Sequence, residues 1–239
     1  MSANRHKVGL VLGAGSARGL AHIGVIQVLI ENQIPFDFMV GSSMGSLIAA
    51  VYASGSDIYM MGKLASALNY STLWDVGLPR MGFISGKRME HFIRLVTKGK
   101  SFAELDIPIA VVATDIETGE KIVIREGPLY TAVRASISIP GVFTPVRYDN
   151  RLLVDGAVAE RLPVGVARDM GADIVLGVDV TFADDRQVQV RNTLDVILQA
   201  VEILERQIFT QTRHQATVLI QPRLGNIKSS QFDRAEECI

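Results

Sequence analysis

One cysteine, Cys238, is present among 239 residues. This excludes an internal disulfide framework and any cysteine-built metal site. Lying second from the end, Cys238 also misses the prenylation position. Charge of one sign is lacking too. The net charge of −1 leaves no electrostatic footprint for nucleic acid or for an anionic membrane. Apolar residues make up 48% of the chain, yet no run reaches the ~18 uninterrupted apolar residues that a bilayer span needs. The greasiest run, Leu47 to Ala53, stops at Ser54-Gly55 and reads as a buried helix. Residues Ser2 to Lys7 pass straight into a strand pattern without the apolar region of a signal peptide. A cytoplasmic location is therefore the expectation, with any membrane contact hydrophobic, transient and peripheral at the inner membrane surface. Repeats and low-complexity tracts are absent, so a single domain over 1–239 is the simplest division.

Strand and helix patterns alternate along the chain. Val8 to Leu12 is a short apolar run closed by glycines, Leu20 to Ile30 has helical spacing, and Phe38 to Val40 is a second strand. Helices are expected to about Ala53, over Asp57 to Leu68, and over Ser85 to Lys98 with Ser85 as N-cap. A strand over Ile107 to Thr114, a turn into Lys121 to Arg125 and a helix over Leu129 to Ser136 follow. A hairpin of Val146–Tyr148 and Leu152–Val154 delivers Asp155. Next come a helix from Val164, a strand over Ile174 to Val180, a long amphipathic helix from about Asn192 to His214, and a strand over Thr217 to Ile220. This order predicts an α/β three-layer sandwich with a mostly parallel central sheet flanked by helices. The polar residues from Pro222 onward show no pattern.

Gly41-Ser42-Ser43-Met44-Gly45 has the spelling of a nucleophile elbow. A serine alcohol attacks only when it is exposed, rigid and next to a base, and a sharp strand-to-helix turn supplies the first two conditions. Gly41 and Gly45 leave room for the strained turn, and the helix that follows aims its N–H groups at charge developing on a substrate oxygen. With 21 glycines in the chain, the pattern alone is not specific. Its position between an apolar strand and an apolar helix is what favours Ser43 over a structural turn with a capping serine.

The segment Gly13-Ala14-Gly15-Ser16-Ala17-Arg18-Gly19 departs from a dinucleotide fingerprint, because the third glycine falls one place late. A P-loop fails as well, since Arg94 stands where the glycine before Gly99-Lys100-Ser101 is required. The remaining reading is an oxyanion loop whose main-chain N–H groups point into the site. Arg18 either binds a phosphate, pairs with a carboxylate, or only braces the loop.

Histidine is scarce: His6, His22, His91 and His214. None lies on a loop after a strand, where a triad base belongs, and each reads as a surface or packing residue. Asp155 follows the strand Leu152–Val154 and precedes Gly156-Ala157. Buried beside the serine it would serve as base. From its neighbours alone it is equally well a common Asp-Gly turn.

Four segments in order resemble the patatin-like phospholipases, in particular bacterial members related to the neuropathy target esterase catalytic domain. Gly13 to Gly19 with Ala21-His22-Ile23-Gly24 is similar to that family's oxyanion loop, and Gly41 to Gly45 to its elbow. Ala135-Ser136-Ile137-Ser138-Ile139-Pro140-Gly141-Val142-Phe143 with Pro145 resembles the intervening block, and Asp155-Gly156-Ala157 the D-G-[GA] aspartate, 112 residues after Ser43. The resemblance covers roughly 7–180. It implies a Ser43–Asp155 dyad without histidine, no metal or cofactor, oxyanion or substrate binding by residues 13–19 and Met44, and attack on phospholipid or lysophospholipid esters through an acyl-enzyme. Ala14 and Ser16 stand where the family usually has glycines, and Glu160 where it often has asparagine. Two other readings stay open: an acyltransferase that passes the acyl group to a thiol or alcohol, and a catalytically silent lipid-binding regulator. Oligomeric state and head-group preference have no signature.

Overall fold

The computed structural model describes residues 5–77, 81–181, 190 and 192–239. Along the chain these form β1 (Val8–Leu12), α1 (Ala21–Glu31), β2 (Phe38–Ser42), α2 (Met44–Ala53), α3 (Ile58–Ala67), β3 (Gly82–Ile84) and α4 (Lys87–Val96). There follow β4 (Ile109–Asp115), β5 (Lys121–Ile124), α5 (Leu129–Ser136), β6 (Gly141–Phe143), β7 (Val146–Tyr148) and β8 (Arg151–Asp155). The chain continues with α6 (Val164–Asp169), β9 (Ile174–Val178), α7 (Thr193–Thr212), β10 (Val218–Ile220) and α8 (Ala235–Cys238).

The main sheet runs β10-β9-β1-β2-β4-β8-β7, with β5 also on β4. Strands β10, β9, β1, β2 and β4 are parallel to one another, while β5, β7 and β8 are antiparallel to their neighbours. This is the expected α/β sandwich. All five residues of β1 are buried because both sheet faces are covered. Leu10 and Leu12 face a core shared with α1, α2, α3 and α5, whereas Val11 faces a second core with Val164, Val166 and Ala167 of α6. The sheet order turns at β1, which has β2 on one side and β9 on the other. Loops at the carboxyl ends of such strands form the natural ligand crevice.

Strand β4 brings the two halves of the site together. Its residue Val112 pairs with Ser42 of β2 and with Val123 of β5, while Thr114 pairs with Val154 of β8 and with Lys121 of β5. With β5 occupying one edge over Val111–Thr114, β2 and β8 share the other edge end to end.

Two local expectations change. Ser85 does not cap α4; Gly86 holds that position, and the Asp75 carboxylate accepts the N–H groups of Gly86 and Lys87 while Ser85 donates its hydroxyl to Asp75. The unpatterned tail is part of the fold: Leu224, Ile227, Ala235 and Cys238 are buried in the first core. There the Ser229 carbonyl accepts the N–H of Ala17, buttressing the glycine loop from outside.

Candidate active site

The chain turns sharply where β2 meets α2. Ser43 has φ 53° and ψ −127°, a conformation that L-residues adopt at an energetic cost and that the surroundings must enforce. The flanking glycines show how tightly. A Cβ on Gly41 would lie 2.4 Å from the Ser46 Cα, and one on Gly45 would lie 2.1 Å from the Leu12 carbonyl oxygen. Helix α2 therefore starts directly against the end of β1, with the positive end of its dipole at Ser43.

The Ser43 Oγ donates to Asp155 Oδ2 over 2.6 Å. The other carboxylate oxygen accepts the N–H of Ala157 at 2.9 Å, and the Asp155 main chain is tied by its N–H to the Ser138 carbonyl. Both side chains are buried. Burial pushes the Asp155 carboxyl up to about 6, although the Ser43 hydroxyl and the Ala157 N–H pull against it. The pair thus holds a nucleophile-type alcohol against a carboxylate that is more basic than usual yet still ionised at neutral pH.

No histidine joins them. His22 is fully buried, and its Nε2 lies 2.7 Å from the Gly13 carbonyl. Burial lowers it to about 4, so the ring is neutral and donates to that carbonyl. His6, His91 and His214 are exposed.

The loop from Gly13 to Gly19 lies at the carboxyl end of β1, but not all its N–H groups face the site. Gly13 donates to Val178, Ala14 to Arg161, Ala17 to Ser229 and Arg18 to Gly15, each to a carbonyl. Among the described residues, Gly15 and Ser16 donate their N–H groups to no protein acceptor. Met44, first residue of α2, likewise has no intrahelical acceptor for its N–H. Ser16, where the resemblance would place glycine, adopts φ 51°. Gly19 packs so closely on the elbow that a Cβ would meet Met44 Cγ at 2.3 Å. Glu160, where asparagine is common, pairs with Lys121 at 2.6 Å.

Several supports have no individual role legible in the sequence, although Ser136 and Ser138 fall in the block between elbow and aspartate. Ser136, at the end of α5, accepts the Ser43 N–H at 2.9 Å and donates to the Val112 carbonyl at 2.6 Å. Arg134, one turn of helix before Ser138, bonds the Ser138 hydroxyl and the carbonyls of Gly86, Ser85 and Thr144. It locks α5 to the small β3–β6 sheet. Helix α7 touches the turn Gly156–Val158, and its Glu205 lies within electrostatic reach of Asp155 and Arg161. Among the described residues no group of three or more His, Cys, Asp or Glu side chains could hold a metal ion.

Comparison with known proteins matches the family model "Patatin-like phospholipase" over residues 10–168. The chain belongs to the patatin-like phospholipase family. An NTE family protein of Mycobacterium tuberculosis is 35% identical over 180 residues, covering 74% of this chain and 50% of that protein. The "Lysophospholipase nte1" of Aspergillus fumigatus is 32% identical over 191 residues, covering 77% of this chain and 12% of its own length. Patatin-like phospholipase domain-containing protein 7 of Rattus norvegicus is 34% identical over 188 residues, covering 74% of this chain and 14% of its own. This patatin-like chain thus spans half the length of the mycobacterial relative and far less of the other two. Among solved structures, VipD from Legionella pneumophila superposes with a TM-score of 0.66 at 15% identity, covering 99% of this chain and 66% of VipD. At that identity the likeness concerns the fold alone.

Proposed function

We propose that this patatin-like chain is a serine lipid-acyl hydrolase, with Ser43 as nucleophile and Asp155 as its base. The observation that carries the reading is the 2.6 Å bond from the Ser43 hydroxyl to a buried carboxylate of raised basicity. Asp155 takes the Ser43 proton as Oγ attacks an ester carbonyl, then returns it to the departing alcohol, leaving an acyl-enzyme. Water loses a proton to the same carboxylate, attacks the acyl-serine, and the fatty acid leaves as the proton returns to Ser43. The N–H groups of Gly15, Ser16 and Met44 stabilise the oxyanion, a smaller set than the whole loop from Gly13 to Gly19. The substrate class, a phospholipid or lysophospholipid ester, follows from family membership and from the fungal relative named a lysophospholipase.

The test is turnover of lysophosphatidylcholine by purified protein. Ser43→Ala is expected to lower kcat by about a thousandfold or more while the fold stays intact. Substantial activity in the folded variant refutes the assignment. Transfer of label from the ester to an added thiol or alcohol, in place of free fatty acid, would make the chain an acyltransferase. Failure of a fluorophosphonate to label Ser43 would leave a silent lipid-binding regulator.

A further inference from the structure

Helix α7 is seated against its own polarity. Its acidic residues Asp195, Glu202 and Glu205 are all partly buried. The Glu202 carboxylate lies 3.5 Å from the Arg18 guanidinium, and Glu205 is within electrostatic reach of Asp155 and Arg161. One face further along, Phe209 is buried in the second core, with the Arg161 guanidinium 5.1 Å from its ring centre. Glu202, Glu205 and Phe209 are three and four residues apart, so they share the face that holds α7 to the protein.

The opposite face is apolar. Val196, Ile197, Ile203, Leu204 and Ile208 are 40–63% exposed. Val196 and Ile203, like Ile197 and Leu204, are seven residues apart, and Ile208 follows Leu204 by four, so with Ala200 between them they form one stripe along the helix. The stripe carries no charge; the exposed Arg206 lies to one side of it. A helix resting on a protein in water normally turns its polar face outward.

Size and position point to what covers this stripe. A helix of 20 residues is ~30 Å long, and a third of its girth presents roughly 300 Å². A stable protein partner needs about 800 Å² on each side, so α7 is too narrow to hold a second copy or another protein. A lipid surface demands neither that area nor a matching shape. An amphipathic helix of this length lies along the headgroup boundary with its apolar side chains sunk by roughly 5–10 Å. Lacking lysine and arginine, the stripe suits zwitterionic lipid and gains nothing from an anionic surface. Helix α7 also touches the turn Gly156–Val158, directly after Asp155. With its outer face in lipid, that turn stands about one helix diameter, ~10 Å, from the lipid.

We propose that the outer face of α7 docks on the surface of a zwitterionic phospholipid bilayer and so brings the Asp155 end of the site to its substrate. This rests on the reading of Ser43 and Asp155 as a lipid-ester centre and assigns the surface through which that centre meets lipid.

The test is co-flotation of the full chain with vesicles of dialkyl-ether phosphatidylcholine, which has no ester to cleave. The expected result is that the wild-type chain floats with the vesicles. The double variant Ile197→Glu, Leu204→Glu should lower its partition at least tenfold and leave turnover of a soluble p-nitrophenyl ester unchanged. Ala200→Trp, which widens the apolar stripe, should raise partition severalfold, and it decides the matter alone if the double variant does not fold. A wild-type chain that stays unbound, a double variant that floats as well as wild type, or no gain in Ala200→Trp overturns the proposal. So does binding that needs added phosphatidylglycerol and is lost in high salt. A wild-type dimer in sedimentation velocity that the double variant dissociates would make the stripe a contact between two copies, which also overturns it. Protein that floats through α7 but cleaves no ester would refute the hydrolase reading and leave the docking face standing. Protein that cleaves soluble esters but ignores the vesicles would do the opposite.

Discussion

Ser42 and Asp155 occupy neighbouring registers on one edge of β4, opposite Val112 and Ala113. Strand β2 ends where β8 arrives from the opposite direction, so Ser43 and Asp155 meet because two strands share an edge. Their separation is set by a main-chain ladder and has little slack. Asp155→Glu should therefore fail although it keeps the carboxylate. The extra methylene has no room at a fully buried position, and a displacement of about 1 Å is enough to lower a rate by ~100-fold. Steady-state kcat on a p-nitrophenyl ester checks this; activity near wild type would mean the aspartate is held loosely.

The proposed base also sets a pH dependence. Asp155 acts only when ionised, and burial places its titration at about 6. The acid limb of kcat/KM should therefore rise with pH and reach half its plateau near pH 6. An unperturbed aspartate would place it near 3.8. A wild-type profile flat from pH 7 down to pH 5 would contradict a buried aspartate base.

The same shift bears on stability with a definite sign. The folded chain binds the Asp155 proton more tightly than the unfolded chain, so between pH 3.8 and about 6 the native state keeps a proton that the unfolded state has lost. This contribution is complete below the unfolded value and is lost as pH rises through about 6. Above that, an ionised carboxylate remains buried at a cost on the order of 3 kcal/mol. Asp155→Asn carries no such charge, so its unfolding free energy relative to wild type should increase from pH 5 to pH 8. Urea melts at the two pH values measure the gap; a gap independent of pH would show that the carboxyl is not perturbed.

What could be read before the structure, and what could not, divides by the range of the contacts involved. Ser43 and Asp155 stand at ends of apolar runs followed by glycines, signals contained within a few residues. The parallel sheet was legible for the same reason. Which N–H groups of the glycine loop stay free depends on the carbonyls of Val178, Arg161 and Ser229, at least 147 residues away in sequence, and no local pattern reports that. The partner of Arg18 is likewise 184 residues distant. Ser85 carries a good capping signal, Ser before an amphipathic run, but the carboxylate of Asp75 that takes the helix N–H groups comes from outside the helix. The tail after Ile220 lacks periodicity because it packs in single residues, Leu224 and Ile227 among them, between polar ones.

Ser136 tests whether the elbow is held from outside itself. Its hydroxyl accepts the Ser43 N–H and donates to the Val112 carbonyl, and the residue is fully buried. Ser136→Ala removes both bonds with little change in volume, and leaving a buried N–H without an acceptor costs about 1–3 kcal/mol. Because that N–H belongs to the residue with φ 53°, the loss also frees a strained turn to relax. Denaturant melts should show destabilisation of this size, and kcat should fall about tenfold or more with a smaller change in KM, since positioning of the nucleophile and not substrate binding is disturbed. A variant that loses stability yet keeps wild-type kcat per folded molecule would show that Gly41, Gly45 and the start of α2 hold Ser43 in place unaided.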